Sequence, residues 1–226
     1  AVTTFSLSGY YDYGRDFIET FDKFWPRDVD LHVYCESPIP EAARERVHFV
    51  NLHRAAPDIV DFKNRHAADR QAHGIRPDGG DDYRFNAVKF CHKVFALTHC
   101  AQSADVDTLY WIDADGITFR PIPHAFLASL LPDGAYTSYL GRRAMHSECG
   151  FLAFDARHPL HREFMDFFHE IYARDLVFDL PEWHDSYVYD VVRRYFEQSG
   201  KISSHDLRAV QSDDHHPFVN SPLGAY

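Results

Sequence analysis

The stretch LYWIDADGITFRP, residues 109–121, ends an apolar run in two acids one residue apart. Asp113 and Asp115 could share a hard divalent cation, directly or through water, because Mg²⁺ and Mn²⁺ prefer such oxygen donors together with substrate phosphates. A cation there would let a chain of formal net charge −11 hold a diphosphate. It would also stabilise the charge on a departing nucleoside diphosphate, as sugar transfer from a nucleotide sugar requires. Three residues alone have a plainer reading too, since acids at a strand end open turns. The elements around them must decide.

Those elements read as alternating strands and helices. TTFSLS alternates apolar and polar residues and runs into the turn-like GYYDYG, which predicts a strand and a loop. Phe17, Phe21 and Phe24 then recur at helical spacing until Pro26. LHVYCE is a second strand and VHFVNL, from Val47, a third. Between Pro57 and Tyr83 the composition turns polar, predicting one short helix and a connecting loop. FNAVKFCHKVFALTHC has apolar residues on most faces, which suits a helix between layers, and it leads into the strand DTLYWIDAD. AYTSYL and GFLAFD read as further strands. HPLHREFMDFFHEIYARDL and DSYVYDVVRRYFEQSG read as helices, the second capped by Asp185 and stopped near Gly200. The order predicts an α/β protein with a mainly parallel sheet. Asp113 and Asp115 then stand at the carboxyl end of a strand, where open parallel sheets bind ligands.

Composition narrows the classes. The 226 residues, 45% hydrophobic, suffice for one substantial core. The acidic balance argues against a nucleic-acid partner, which would need a basic footprint. No apolar stretch approaches the roughly 20 residues of a membrane span, and no signal-like segment opens the chain. Cys35, Cys91, Cys100 and Cys149 have neither zinc-like spacing nor disulfide-scaffold density, so buried thiols in a reducing, cytoplasmic setting are expected.

With these motifs in place, the whole chain resembles a metal-dependent glycosyltransferase of the GT-A fold, of the kind found in bacterial surface-polysaccharide assembly. YWIDADG looks like that family's DxD motif. The resemblance implies a single Rossmann-like GT-A domain over 1–226, with a nucleotide-binding half (1–115) and an acceptor and sugar half (116–226). It implies Mn²⁺ or Mg²⁺ as cofactor, a UDP- or GDP-type sugar donor, and a glycan or lipid-linked glycan acceptor. On the same likeness Asp113 faces the ribose or the metal and Asp115 is a direct metal ligand. HSECGFLAFD places Glu148 beside the sugar or acceptor, or else simply leads into a strand. EWHDSYVYD makes Asp185 the base that deprotonates the acceptor, a role compatible with capping a helix; Trp183 is a sugar platform or core. YRFNAVKF offers Arg84, Asn86 and Lys89 to the phosphates or base, unless they form a solvated helix face. SGYYDYG offers Tyr10 or Tyr11 for stacking on the base, with Glu36 after the second strand as a weaker contact. The family's C-terminal His-X-Lys-Gly segment is not matched, which leaves His216 as the metal ligand or puts that ligand beyond Tyr226.

Two other classes fit some of the same letters. DADGITF resembles the first motif of haloacid-dehalogenase-type phosphatases, with Asp113 as nucleophile and Mg²⁺ as cofactor. Such enzymes need a later Lys and a later acid pair; here only Lys201 follows, and Asp213 with Asp214 lies in a Pro-rich tail. A non-catalytic nucleotide- or carbohydrate-binding module is the third.

Overall fold

The structure is a computed structural model describing residues 1–40, 43–208 and 215–226. Asp213 and Asp214 lie outside the described residues. Along the chain run β1 (Val2–Thr4), α1 (Leu7–Gly9), α2 (Arg15–Phe24), β2 (Leu31–Cys35), β3 (Val47–Asn51), α3 (Leu52–Ala55), α4 (Asp58–Arg65) and α5 (Ala87–Ser103). Then follow β4 (Thr108–Ile112), α6 (His124–Leu130), β5 (Thr137–Leu140), β6 (Glu148–Asp155), α7 (His161–Ala173), α8 (Asp185–Gln198) and β7 (Ser204–Asp206). The strands form one sheet in the order β3-β2-β1-β4-β6-β5-β7. β6 runs antiparallel to both of its neighbours, β4 and β5; the other pairings are parallel. The expected α/β architecture with a mainly parallel sheet is what forms.

Both faces of the sheet are covered, as a parallel sheet requires. Side chains alternate across β4: Leu109 and Trp111 enter the core under α5, α7 and α8, whereas Tyr110 and Ile112 enter the core that includes Phe17, Ile18 and Phe21 of α2. This parity matters two residues later, because it puts Asp113 on the α5 side. β1 reaches β2 and β3 on one flank and β4 on the other, so the topological switch point falls between β1 and β4. Ligands bind outside the carboxyl ends of strands at such a point.

The structure corrects the sequence reading in several places. SGYYDYG is not a loop: α1 continues through a π-helical turn, Tyr10–Gly14, into α2. Its glycines have ordinary right-handed helical angles and serve close packing instead. A Cβ on Gly9 would stand 2.6 Å from the Tyr13 hydroxyl, and one on Gly14 would stand 3.0 Å from the Phe5 ring. β1 accordingly ends at Thr4, and Ser6 caps α1 by accepting from the Gly9 amide at 3.0 Å. Asp185 is not the cap of α8; that is His184, which accepts from the Tyr187 amide, with Asp185 the first helical residue. α3, α6 and β7 have no counterpart in the sequence reading. All four cysteines are free and buried, and burial pushes the Cys35 thiol up to about 12. Among the described residues no helix is long and apolar enough to cross a membrane.

Candidate active site

The parity of β4 and the periodicity of α5 bring the chemistry together. Lys89, His92 and Lys93 share one face of α5 by their i, i+3, i+4 spacing, and all three line a crevice of about 410 Å³ with Thr4 of β1, Asp113 and Asp115. Lys93 is the residue that sequence reasoning missed. Its Nζ lies 3.0 Å from Asp113 Oδ1 and 2.6 Å from Asp185 Oδ2, and it donates to the Cys149 carbonyl at 2.9 Å. Asp185 is buried, and Oδ2 has no well-aligned hydrogen bond, so its contact with Lys93 is chiefly ionic. Burial alone would lower the lysine pKa; Asp113 and Asp185 reverse this and hold the ammonium above its usual range. Asp113 is shifted up by burial and by the Asp185 charge, against the pull of Lys93 and the hydrogen bond from Trp111 Nε1 at 2.7 Å. Its amide donates to the Gly150 carbonyl at 2.8 Å, which fixes the strand end against β6.

Three cavities meet at Asp113. Besides the crevice, it lines a more apolar cavity of about 520 Å³ with Asp115, Glu148, Gly150, His216 and Phe218. It also lines one of about 430 Å³ with Lys93, Glu148, His184 and Asp185. Asp115 is exposed and makes no hydrogen bond or ion pair among the described residues, and its charge helps burial to raise the Tyr13 phenol. Glu148 is tied by Arg142 and by the Gly150 amide at 3.0 Å. His216 Nε2 comes to 3.7 Å from Glu148 Oε2. His216 therefore shares a cavity with both acids, although among the described residues Asp113, Asp115 and His216 do not form a tight three-ligand cluster.

The remaining expected residues divide. Lys89 lines the crevice, exposed, with its amine 5.5 Å from the Phe90 ring centroid. Glu36 lines it too, but its Oε1 is taken by His92 at 2.6 Å, His53 at 2.9 Å and Lys63. The His92 hydrogen bond above all, with Lys63 and His53, holds this carboxyl well below the usual range against its burial. Tyr10 and Tyr11 do not line the crevice; the helical path through 7–14 brings Tyr13 there instead. Arg84 and Asn86 line none of the three cavities. The Arg84 guanidinium is engaged by Asp82 at 2.7 and 2.9 Å, and Asn86 caps α5 by accepting from the Lys89 amide at 3.0 Å. Trp183 is buried, donates to the Leu180 carbonyl at 3.0 Å, and packs edge-on against Phe85 and Phe178.

Fold and site together define a single-sheet α/β protein with an acid-lined crevice at its switch point. No family model and no curated protein matches the sequence. Among solved structures the chain is similar to mouse xyloside xylosyltransferase 1 in its apo form, with 12% sequence identity, 92% of this chain and 84% of that chain covered, and a TM-score of 0.49. Similarity at that level assigns no activity.

Proposed function

We propose that this chain transfers a glycosyl group from a UDP- or GDP-type sugar to a hydroxyl of a glycan or lipid-linked glycan, with Mn²⁺ or Mg²⁺ at Asp113 and Asp115. The observation that carries the reading is the position of Asp113, one carboxylate shared by a switch-point crevice and two adjoining cavities. Such a junction suits a reaction joining two substrates around one diphosphate. The donor set fits a hard cation, since Asp115 presents an unengaged carboxylate and Asp113 keeps Oδ2 clear of the contacts made through Oδ1. When bound, the cation neutralises the diphosphate and stabilises the leaving nucleotide.

The chain's own groups have separable tasks. Lys89 meets the diphosphate in the crevice, and Tyr13 takes the base-stacking role first expected of Tyr10 or Tyr11. Asp185 accepts the acceptor's hydroxyl proton in the cavity it shares with Glu148. Lys93 holds Asp185 and Asp113 in fixed relation. Glu148 faces the transferred sugar, and His216, which lines the same cavity as Asp113 and Asp115, would supply a further ligand. The free, buried thiols accord with a cytoplasmic setting.

Calorimetric titration with UDP and GDP, in Mn²⁺ and then in EDTA, tests the reading. One nucleotide should bind only with the metal, and Asp115→Ala should abolish that binding while the circular dichroism spectrum stays unchanged. Unchanged binding by the variant would sink the assignment, and hydrolysis of simple phosphomonoesters by the wild type would favour the phosphatase chemistry.

A further inference from the structure

A second group of metal-type ligands lies outside the acid pair. His146 Nε2 and His184 Nε2 approach the same carboxylate oxygen, Glu182 Oε2, at 3.2 and 2.9 Å. The three ligand atoms all fall within 4.8 Å of one another, and among the described residues this is the one His, Cys, Asp and Glu cluster so tightly drawn. Local structure explains the convergence. Glu182 and His184 flank Trp183, which is buried in the core, and both turn toward the same partner. His146 arrives from the connection between β5 and β6.

We infer that His146, Glu182 and His184 form a second divalent-metal site, selective for Zn²⁺, Co²⁺ or Ni²⁺ over Mg²⁺. Imidazole nitrogens favour these borderline ions, whereas the all-oxygen pair Asp113 and Asp115 suits the harder ones. Metal bonds of the usual length in a tetrahedral zinc site hold their ligand atoms about 3.4 Å apart. The two contacts to Glu182 Oε2 need to open by only a few tenths of an ångström, and the two imidazole nitrogens lie within 4.8 Å of each other. Two imidazoles and one carboxylate leave a coordination position for water or a ligand. His146 and His184 both line the cavity that contains Asp185. The His184 ring is buried and has Tyr83 and Phe90 at 5.5 and 5.9 Å, an aromatic shell that limits competition from water.

Loading has a definite proton balance. His184 Nδ1 accepts from the Tyr187 amide at 3.4 Å, so in the free protein its ring proton sits on Nε2, toward Glu182. On loading, the Nε2 proton of each imidazole would move to its Nδ1, freeing both Nε2 lone pairs with no net proton release, and the long cap contact of His184 would be given up. His146 caps no helix, which makes it the cleaner position to vary.

The test is titration of the full chain with Co²⁺, followed by visible absorption, then displacement by Zn²⁺. The wild type should develop an intense tetrahedral-type band at one equivalent, lost on adding Zn²⁺ and retained in excess Mg²⁺. Asp115→Ala should keep the band. His146→Ala and Glu182→Gln should each weaken Co²⁺ binding by at least about 100-fold with unchanged circular dichroism, since even loss of an outer-shell partner costs about 10–100-fold. Absence of the band, its loss in Asp115→Ala, or its persistence at wild-type affinity in His146→Ala overturns the site.

Discussion

Replacing Lys93 by Met removes the cation that separates two carboxylates while keeping most of the side-chain volume. The Lys93 side chain is 12% exposed, that of Asp185 4% and that of Asp113 35%. Breaking a buried ion pair costs about 3–5 kcal/mol, because the partner is left charged and unpaired. The Asp113 end reaches solvent and is screened, so the lower figure applies and the expected loss at pH 7 is about 3 kcal/mol. For a chain of this size that corresponds to a fall in Tm of roughly 6–12 °C. The raised Lys93 pKa means that its stabilising contribution is fully present below the unfolded lysine value and is lost only as pH rises through the folded one, so the ammonium is intact at pH 7. Asp113 titrates in the same sense, although here it is the charged form that is disfavoured: its folded pKa stands above the unfolded one, so stability is lost as pH rises from the unfolded value to the folded one. Without Lys93 that cost grows, and the deficit of Lys93→Met should shrink on acidification. Urea unfolding in EDTA, followed by tryptophan fluorescence, reads both effects, because Trp111 donates to Asp113. A variant within about 0.5 kcal/mol of wild type at pH 7, or a deficit that widens on acidification, would rule out Lys93 as the stabilising cation between these acids; the first bound is the scatter of an ordinary surface substitution.

Asn86→Ala should cost about 1 kcal/mol in urea unfolding through the lost α5 cap and leave nucleotide affinity unchanged, since its side chain serves the Lys89 amide. Gly150→Ala would set a Cβ 2.8 Å from Phe218 and 3.3 Å from Glu148 Oε1; a destabilisation of about 1–3 kcal/mol by thermal melting is expected, relieved by adding Phe218→Ala. Glu36→Gln should cost about 1–2 kcal/mol at pH 7, because Lys63, His92 and His53 lose their shared anion at a partly exposed site. As the Glu36 carboxyl is depressed, its contribution is present above the unfolded glutamate range near pH 4.3 and fades below it, so the wild-type advantage should vanish in acid urea titrations.

Much of this was legible in the sequence where periodicity and burial agree. Phe17 and Phe21 mark the buried face of α2, and the apolar run before Asp113 forms a strand covered on both sides. The misreadings share a cause, namely contacts that only the folded chain supplies. Gly9 and Gly14 look like turn signals, yet they are small because Tyr13 and Phe5 pack against them. α6 and β7 are short, and β7 pairs with β5 across more than sixty residues, which no local pattern encodes. Lys93 was hidden because α5 is apolar on most faces; its meeting with Asp113 follows only when strand parity on β4 is combined with the helix phase of α5. Asp185 sits at the expected helix start, but an imidazole one residue earlier took the capping role.

Lys93 sits between two acids that share one cavity, while Asp113 alone of the two also opens on the crevice and on the apolar cavity. A divalent cation beside Asp113 would repel the Lys93 ammonium and draw on the same carboxylate, favouring a shift of Nζ toward Asp185. Filling the cavity around Asp185 changes the same balance from the other side. Occupancy of the spaces on either side of Lys93 would then be thermodynamically linked: whatever factor one ligand imposed on the other's dissociation constant would have to be returned in equal measure.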